Sequence, residues 1–359
     1  MESNISKGNS VSFLFHLFSI SITISLLLFF ILKILYSFCP TDPSPHIIKL
    51  EDLKNKISLS NNTKDDIPII NQNKINVGIS LLNFDKFDII NDEFIANIIV
   101  WFEYKSNLAL ILNKISEFEF ERALIISKSQ AILNENLDNI VVSFFIKLKF
   151  KSNLNYSMFP YQDHIVNLSL INRNLDSKFI FESNKDNIFV KDDKTISSWS
   201  YYGSNVLYGY DKFPLENLSN ELYYPKVVFQ IKYFYNSLRD LFIVLLPLIF
   251  HFLIELFSFS IDQSTMRSTI ISFSSSDFAA IFAYKFVIDN LSPKVGYFML
   301  SDYIFFIFLT NSFLSLALNG FGPYMSLNQR RALYLFMQIF VIFTFYYILF
   351  IKNKCISLI

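Results

Sequence analysis

Cysteine is nearly absent: the 359-residue chain has two, Cys39 and Cys355, at opposite ends. No disulfide framework can be built from them, and no Cys-x-x-Cys metal signal exists. Glycine is scarce as well, at 7 residues, and no Gly-rich phosphate loop can be written. The four histidines (His16, His46, His164 and His251) are scattered rather than clustered as metal ligands. No nucleophile elbow is present. These absences point away from an enzyme, a metal centre or a cofactor. Net charge is missing too. Lys+Arg and Asp+Glu both number 31, which argues against nucleic acid as a partner.

What the chain has is apolar length. Hydrophobic residues make up 52% of it and the mean hydropathy is +0.36, high for a soluble domain. The 42 Phe and 19 Tyr belong to a Phe/Ile/Asn/Lys bias of the kind an AT-rich genome leaves. Such bias creates chance motifs, so the Asn-x-Ser/Thr matches at Asn4, Asn61, Asn155, Asn167, Asn217 and Asn290 are weak glycosylation signals. The first apolar stretch runs from about Val11 to Phe38, with His16 and Lys33 its only chargeable groups. A secretory apolar region is shorter, about 7–15 residues, and ends at small residues. This one ends at Phe38-Cys39-Pro40 and reads as an uncleaved anchor rather than a signal peptide. Bulky Phe38 also fits a lipoprotein cleavage box poorly.

Four more apolar stretches fill the C-terminal third: about Leu241–Phe259, Thr269–Ile288, Phe298–Leu318 and Leu333–Ile351. Each is near the roughly 20 residues that cross a bilayer as a helix. The second carries Ser272, Ser274, Ser275, Ser276, Asp277 and Lys285. It cannot face lipid all round; either its neighbours shield it or it lines water. Between the anchor and these stretches the chain is polar, with short runs rich in Ile, Val, Phe and Tyr. Ile75–Leu82, Phe94–Tyr104, Ile140–Phe150, Ile165–Ile171, Ser197–Tyr208 and Tyr224–Tyr235 read as strands of an antiparallel sandwich.

The expected organisation is therefore a β + α membrane protein. Residues 1–39 form a membrane anchor or signal, 40–66 a linker, 67–237 a β-sandwich and 238–352 a four-helix transmembrane domain. Arg267 lies between the first and second C-terminal stretches, and Arg330 and Arg331 between the third and fourth. The positive-inside tendency puts both loops in the cytoplasm and the sandwich outside, or in a periplasm. Lys352 and Lys354 fall on the other side.

An outer sandwich followed by four helices, the second one polar, resembles the pentameric ligand-gated ion channels. Local matches sharpen the likeness. Asn155-Tyr156-Ser157-Met158-Phe159-Pro160-Tyr161-Gln162-Asp163-His164 is similar to that family's signature loop, with Gln162 and His164 in place of the usual Asp and Gln. The bracketing cysteines of animal members are replaced by Ser152 and Val166, as in the prokaryotic branch. Pro247 sits where the family keeps a proline in its first helix. Leu291-Ser292-Pro293-Lys294-Val295-Gly296-Tyr297 resembles the loop between the second and third helices. Lys74 to Glu103, with Val77-Gly78-Ile79, Phe94-Ile95-Ala96 and Trp101-Phe102, resembles the first two strands. The likeness covers about residues 73 to 351.

The resemblance implies a homopentamer in the lipid bilayer that passes inorganic ions, opened by a small molecule or protons. It implies a coupling contact between the Phe159-Pro160-Tyr161 turn and the Pro293, Lys294 and Tyr297 loop, with Pro247 bending the first helix. Aligned on Pro293, one face of the second helix carries Ser268, Ser272, Ser276, Ala279, Ala283 and Phe286. Hydroxyls there could replace part of an ion's hydration, with Phe286 as an apolar constriction; a small-residue stripe also suits tight helix packing. A small shift in register would instead put Arg267 at the inner mouth. Ser268 and Thr269 stand where cation-selective members carry a Glu, leaving charge selectivity open. Trp101, Trp199, Tyr202, Tyr208, Tyr210 and Tyr223, on or near the last hairpin, could hold a cation by their ring faces or simply pack the sheet. His251, Glu255, Asp277, Lys285 and Asp302 either pair between helices or sense protons. A non-conducting receptor of the same fold and an anchored sensor with an unrelated sandwich are the alternative readings.

Overall fold

The computed structural model describes residues 73–105, 111–135, 138–160, 163–175, 179–191, 195–196, 199–213, 222–235, 238–259, 263–321 and 324–356, together with 22–23, 26, 42, 45–49 and 261. The hydrophobic stretch at 11–38 therefore lies almost wholly outside the described residues, as does the polar stretch at 60–66. Two compact units divide the chain. One comprises Asp42–Asn155 and Asp163–Asn236; the other comprises Met1–Thr41, Tyr156–Gln162 and Ser237–Ile359.

The first unit is a β-sandwich. Its larger sheet contains β1 (Asn73–Asp88), β2 (Glu93–Lys105), β4 (Ala123–Lys128), β6 (Asn139–Phe150) and β8 (Phe179–Glu182), in the order β4-β6-β2-β1-β8. β5 (Ile132–Glu135) also pairs with β6, and β9 (Ile188–Val190) with β1. The second sheet contains β3 (Glu119–Phe120), β7 (His164–Ile171), β10 (Thr195–Ile196), β11 (Trp199–Phe213) and β12 (Leu222–Tyr235), ordered β10-β11-β12-β7-β3. All six runs expected from sequence fall on strands of this sandwich, apart from Ser197 and Ser198, which lie outside the described residues. The reason is visible in β2, where Phe94, Ala96, Ile98, Val100, Phe102 and Tyr104 are buried and every intervening residue is not. Successive side chains of a strand point to opposite faces, so this alternation gives one dry face. Each large apolar side chain so buried contributes about 1.5–3 kcal/mol. β6 repeats the pattern from Ile140 to Phe150. Rings join the sheets: Phe87 of β1 meets Tyr233 of β12 edge-on at 5.1 Å. Burial pushes the Tyr233 phenol above its ordinary pKa.

Within the stretch expected as a linker, Asp42 and Ile48 are bonded into the sandwich. Ile48 exchanges two backbone hydrogen bonds of 3.0 Å with Tyr210 on β11. The Asp42 carboxylate accepts from the backbone N–H of Asn155 at 2.8 Å and of Ile165 at 2.5 Å, and its Oδ1 lies 3.2 Å from His164 Nδ1. Both side chains of that pair are dry. One carboxylate thus ties the two ends of the 155–165 loop. Ser152 adds a second tie, donating to Ile165 O at 3.3 Å and accepting from Asn167 N at 2.7 Å.

Four helices of the second unit have described bounds: α1 (Leu238–Ser258), α2 (Gln263–Leu291), α3 (Leu300–Phe321) and α4 (Leu327–Ile356). Met266–Leu291 and Leu300–Phe321 are long and apolar enough to cross a membrane; Phe242–Ser258 is a shorter apolar helix. Their shared core includes Val244, Leu248, Phe252, Ile281, Ile304, Phe308 and Val341. Pro247 lies inside α1. A proline has no N–H, so the carbonyl one turn earlier, that of Ile243, loses its helical donor. The Tyr284 hydroxyl of α2 donates to that carbonyl instead.

Candidate functional site

α2 has two faces of opposite character. Ile270, Ser274, Asp277, Ile281 and Ile288 are buried against the other helices. Ser268, Ser272, Ser276, Ala279, Ala283 and Phe286 are all exposed, Phe286 to 68%. At about 100° per residue the two sets lie roughly half a turn apart. Phe273, Phe282 and Val287 flank the exposed stripe and are exposed as well. A helix of membrane-crossing length therefore presents a row of hydroxyls and small side chains that no described residue covers. Near its start, Met266 departs from helical geometry (φ −125, ψ 29), so the stripe begins just after a kink.

The buried face of α2 meets a polar interior. His251 of α1 sits 2.6 Å from the Asp277 carboxylate, to which the Ser312 hydroxyl of α3 adds a 3.5 Å contact. Glu255 of α1 accepts from the Asn311 amide of α3 at 2.5 Å. Asn319 donates to the hydroxyls of Ser258 (3.0 Å) and Ser274 (2.8 Å). Lys285 pairs with Asp302 at 2.5 Å and with Asp289 at 2.7 Å. Asp302 in turn accepts from the Met299 N–H at 2.8 Å, at the start of α3. Of the ionisable side chains singled out from sequence, His251 with Asp277 and Lys285 with Asp302 thus pair across helices, while Glu255 bonds to an amide, as low-dielectric burial demands. Asn311, Ser312 and Asn319 were not singled out. Their signal was small polar residues, with Thr310 and Ser315 among them, inside a mainly apolar run.

The Phe159-Pro160 turn belongs to the helical unit. Leu300 N donates to Ser157 O at 2.9 Å and Ser301 N to Phe159 O at 3.1 Å. The Tyr297 hydroxyl accepts from Tyr156 N at 2.8 Å. Met158 joins the helical core. The Phe159–Pro160 peptide is cis. Pro160 and Pro293 are buried and Lys294 is exposed. Tyr161 lies outside the described residues.

The six aromatic residues proposed for a ligand are dispersed. Tyr210 is buried, with its hydroxyl donating to Phe179 O at 3.1 Å, and Tyr223 packs beside it. Trp199 lies against His164, ring centres 5.3 Å apart. Tyr202 is edge-on to Phe234 and Tyr208 is exposed. Burial, with Asp163 and Asp42 nearby, raises the Tyr202 phenol pKa. Trp101 lies in the other sheet, packed over Gly78. Tyr210 and Tyr223 share a cluster with Ile180 and Ile48. Among the described residues no group of three His, Cys, Asp or Glu is arranged to hold a metal.

No model of a known protein family matches the chain, and comparison with curated proteins finds no match.

Proposed function

We propose that the chain is a subunit of a pentameric ion channel of the ligand-gated type. In this reading all four C-terminal helices cross the membrane, the sandwich lies outside, and five α2 helices surround a water-filled axis. The observation that carries it is the exposed stripe Ser268, Ser272, Ser276, Ala279, Ala283 and Phe286 on a helix whose opposite face is buried. Hydroxyls facing acyl chains would have only carbonyls of their own helix to bond, as Ser275 bonds Ser272 O, whereas around a shared axis they face water and ions. Phe286 then forms a ring narrow and apolar enough to close by dewetting. The contacts of Tyr297, Leu300 and Ser301 with the 156–160 turn support a role for that turn in moving the end of α2. A second reading, a non-conducting receptor of the same build, is favoured by one observation: none of the six stripe residues is charged, so no side chain there draws an ion in. Purified protein in planar bilayers separates the two. Unitary currents from an assembly with the mass of five subunits support the channel; a silent pentamer supports the receptor; a monomer or dimer removes both.

A further inference from the structure

We propose that Pro45 to Ile48 roof a binding site, within one sandwich, for a small organic oxyanion. Ile48 is bonded to the free edge of β11, and Asp42 to Ile165 at the start of β7. β12 lies between those two strands, and Pro45–Ile48 form a strap from the cavity to the β11 edge. Beneath it lies a cavity of about 410 Å³, with Pro45 and His46 of the strap on one side and Arg122, Lys151, Arg173 and Lys226 among its other walls. That volume is ordinary for a small-molecule pocket, about 300–1,000 Å³.

The charge in this cavity is unbalanced. Lys226 is spent on Glu121 (2.8 Å) and Asp211 (3.6 Å), and Arg173 pairs with Glu119 at 2.6 Å. Glu121 is the one acid among the described residues of the lining. Among the described residues, Arg122 and Lys151 have no carboxylate partner. A guanidinium fork beside an ammonium matches a carboxylate or phosphate group.

The wall that presents these cations is held stiffly. Arg122 (φ 53), Asn153 (φ 61) and Asp92 (φ 49) are the non-glycine residues in left-handed backbone among those described. They are knotted together: Lys151 N donates to Arg122 O at 3.1 Å, and the Asp92 carboxylate accepts from Ser152 N and Asn153 N, each at 2.9 Å. Backbone held in sparsely populated conformations concentrates at ligand clamps. The strap's seat is shaped as closely. A Cβ on Gly209 would lie 2.3 Å from Ile48 O, so only glycine lets the strap approach. The strap falls outside the stretch that resembles the channels, and this site does not depend on the channel reading.

The test is calorimetry on the full chain in lipid nanodiscs, with citrate and inorganic phosphate as probes at fixed ionic strength. Saturable binding is expected, weakened about tenfold or more by Arg122→Gln with Lys151→Gln, the size of one charge-assisted hydrogen bond lost. Both side chains are exposed, so the fold tolerates the change. Binding of citrate alone assigns a carboxylate ligand, and of phosphate alone a phosphate ester. Gly209→Val, which unseats the strap, is expected to weaken binding while leaving the cations in place. Failure of both probes to saturate, or wild-type affinity in the Arg122/Lys151 double variant, overturns the site. Wild-type affinity in Gly209→Val removes the strap from it.

Discussion

Replacing Asp42 by Asn tests how the turn-bearing loop is anchored. The wild-type carboxylate accepts from Asn155 N and Ile165 N at 2.8 and 2.5 Å and contacts His164, with its side chain 1% exposed. An amide has one oxygen and two N–H donors, so it can serve one of the two backbone groups and turns a donor toward the other. The loss is one charge-assisted bond weakened to a neutral one and a second left unmade in a dry site. On per-bond values of about 1.5–3 kcal/mol for charged and 0.5–1.5 kcal/mol for neutral bonds, the loop base loses about 2–4 kcal/mol. Hydrogen exchange reads local opening directly. At 1.4 kcal/mol per tenfold, protection of the Asn155 and Ile165 amides is expected to fall about 30- to 700-fold. Amides deep in β2, such as Val100, keep their wild-type rates. Unchanged exchange at Asn155 and Ile165 would show that Asp42 does not anchor the loop.

Gly78→Ala places a Cβ 2.1 Å from Trp101 ring carbons; a destabilisation of about 1–3 kcal/mol is expected, with a shift in Trp emission marking the displaced ring. Glu93 is held down to a pKa of about 2, first by Lys149 and then by Lys86. Its folded pKa lies below the unfolded value, so its stabilisation is present above the ordinary carboxylate pKa and is lost as pH falls from there towards 2. Acid unfolding of Glu93→Gln is expected to vary less across that window, and an identical profile would contradict the assignment. Asn311→Leu strips Glu255 of its amide donor and is expected to destabilise by about 2–3 kcal/mol. Adding Glu255→Leu then recovers most of the melting temperature in the same detergent, because both partners of the buried pair are gone.

Long alternating strands were legible because burial of one face writes itself into the residue pattern. β2 and β6 alternate throughout and were recognised. β5, with all four residues exposed, carries no such pattern and was not; nor were the short β8 and β9, whose parallel pairing with β1 depends on distant residues. The helical stripe of Ser268 to Phe286 came from aligning Pro293 with the proline of the resembling channels, and its residues share an exposed face. The tie from Asp42 to Asn155 and Ile165 was not, since a carboxylate more than a hundred positions away in sequence leaves no local signal. The approach of Arg122 to Lys151 was hidden too, because β4 must pair with β6 before their backbones bond.

Thiol accessibility along α2 bears most directly on the central claim. In a chain with Cys39 and Cys355 replaced by serine, single cysteines at Ser272, Ser276, Ala279 and Ala283 meet a charged, membrane-impermeant thiol reagent in liposomes. Cysteines at Ile270 and Ile281, half a turn away, serve as comparison. Rapid modification of the four stripe positions with protection of the two buried ones is the outcome a water-filled axis requires. Stripe cysteines that resist the charged reagent yet react with a lipid-soluble one would place that face against acyl chains and contradict it.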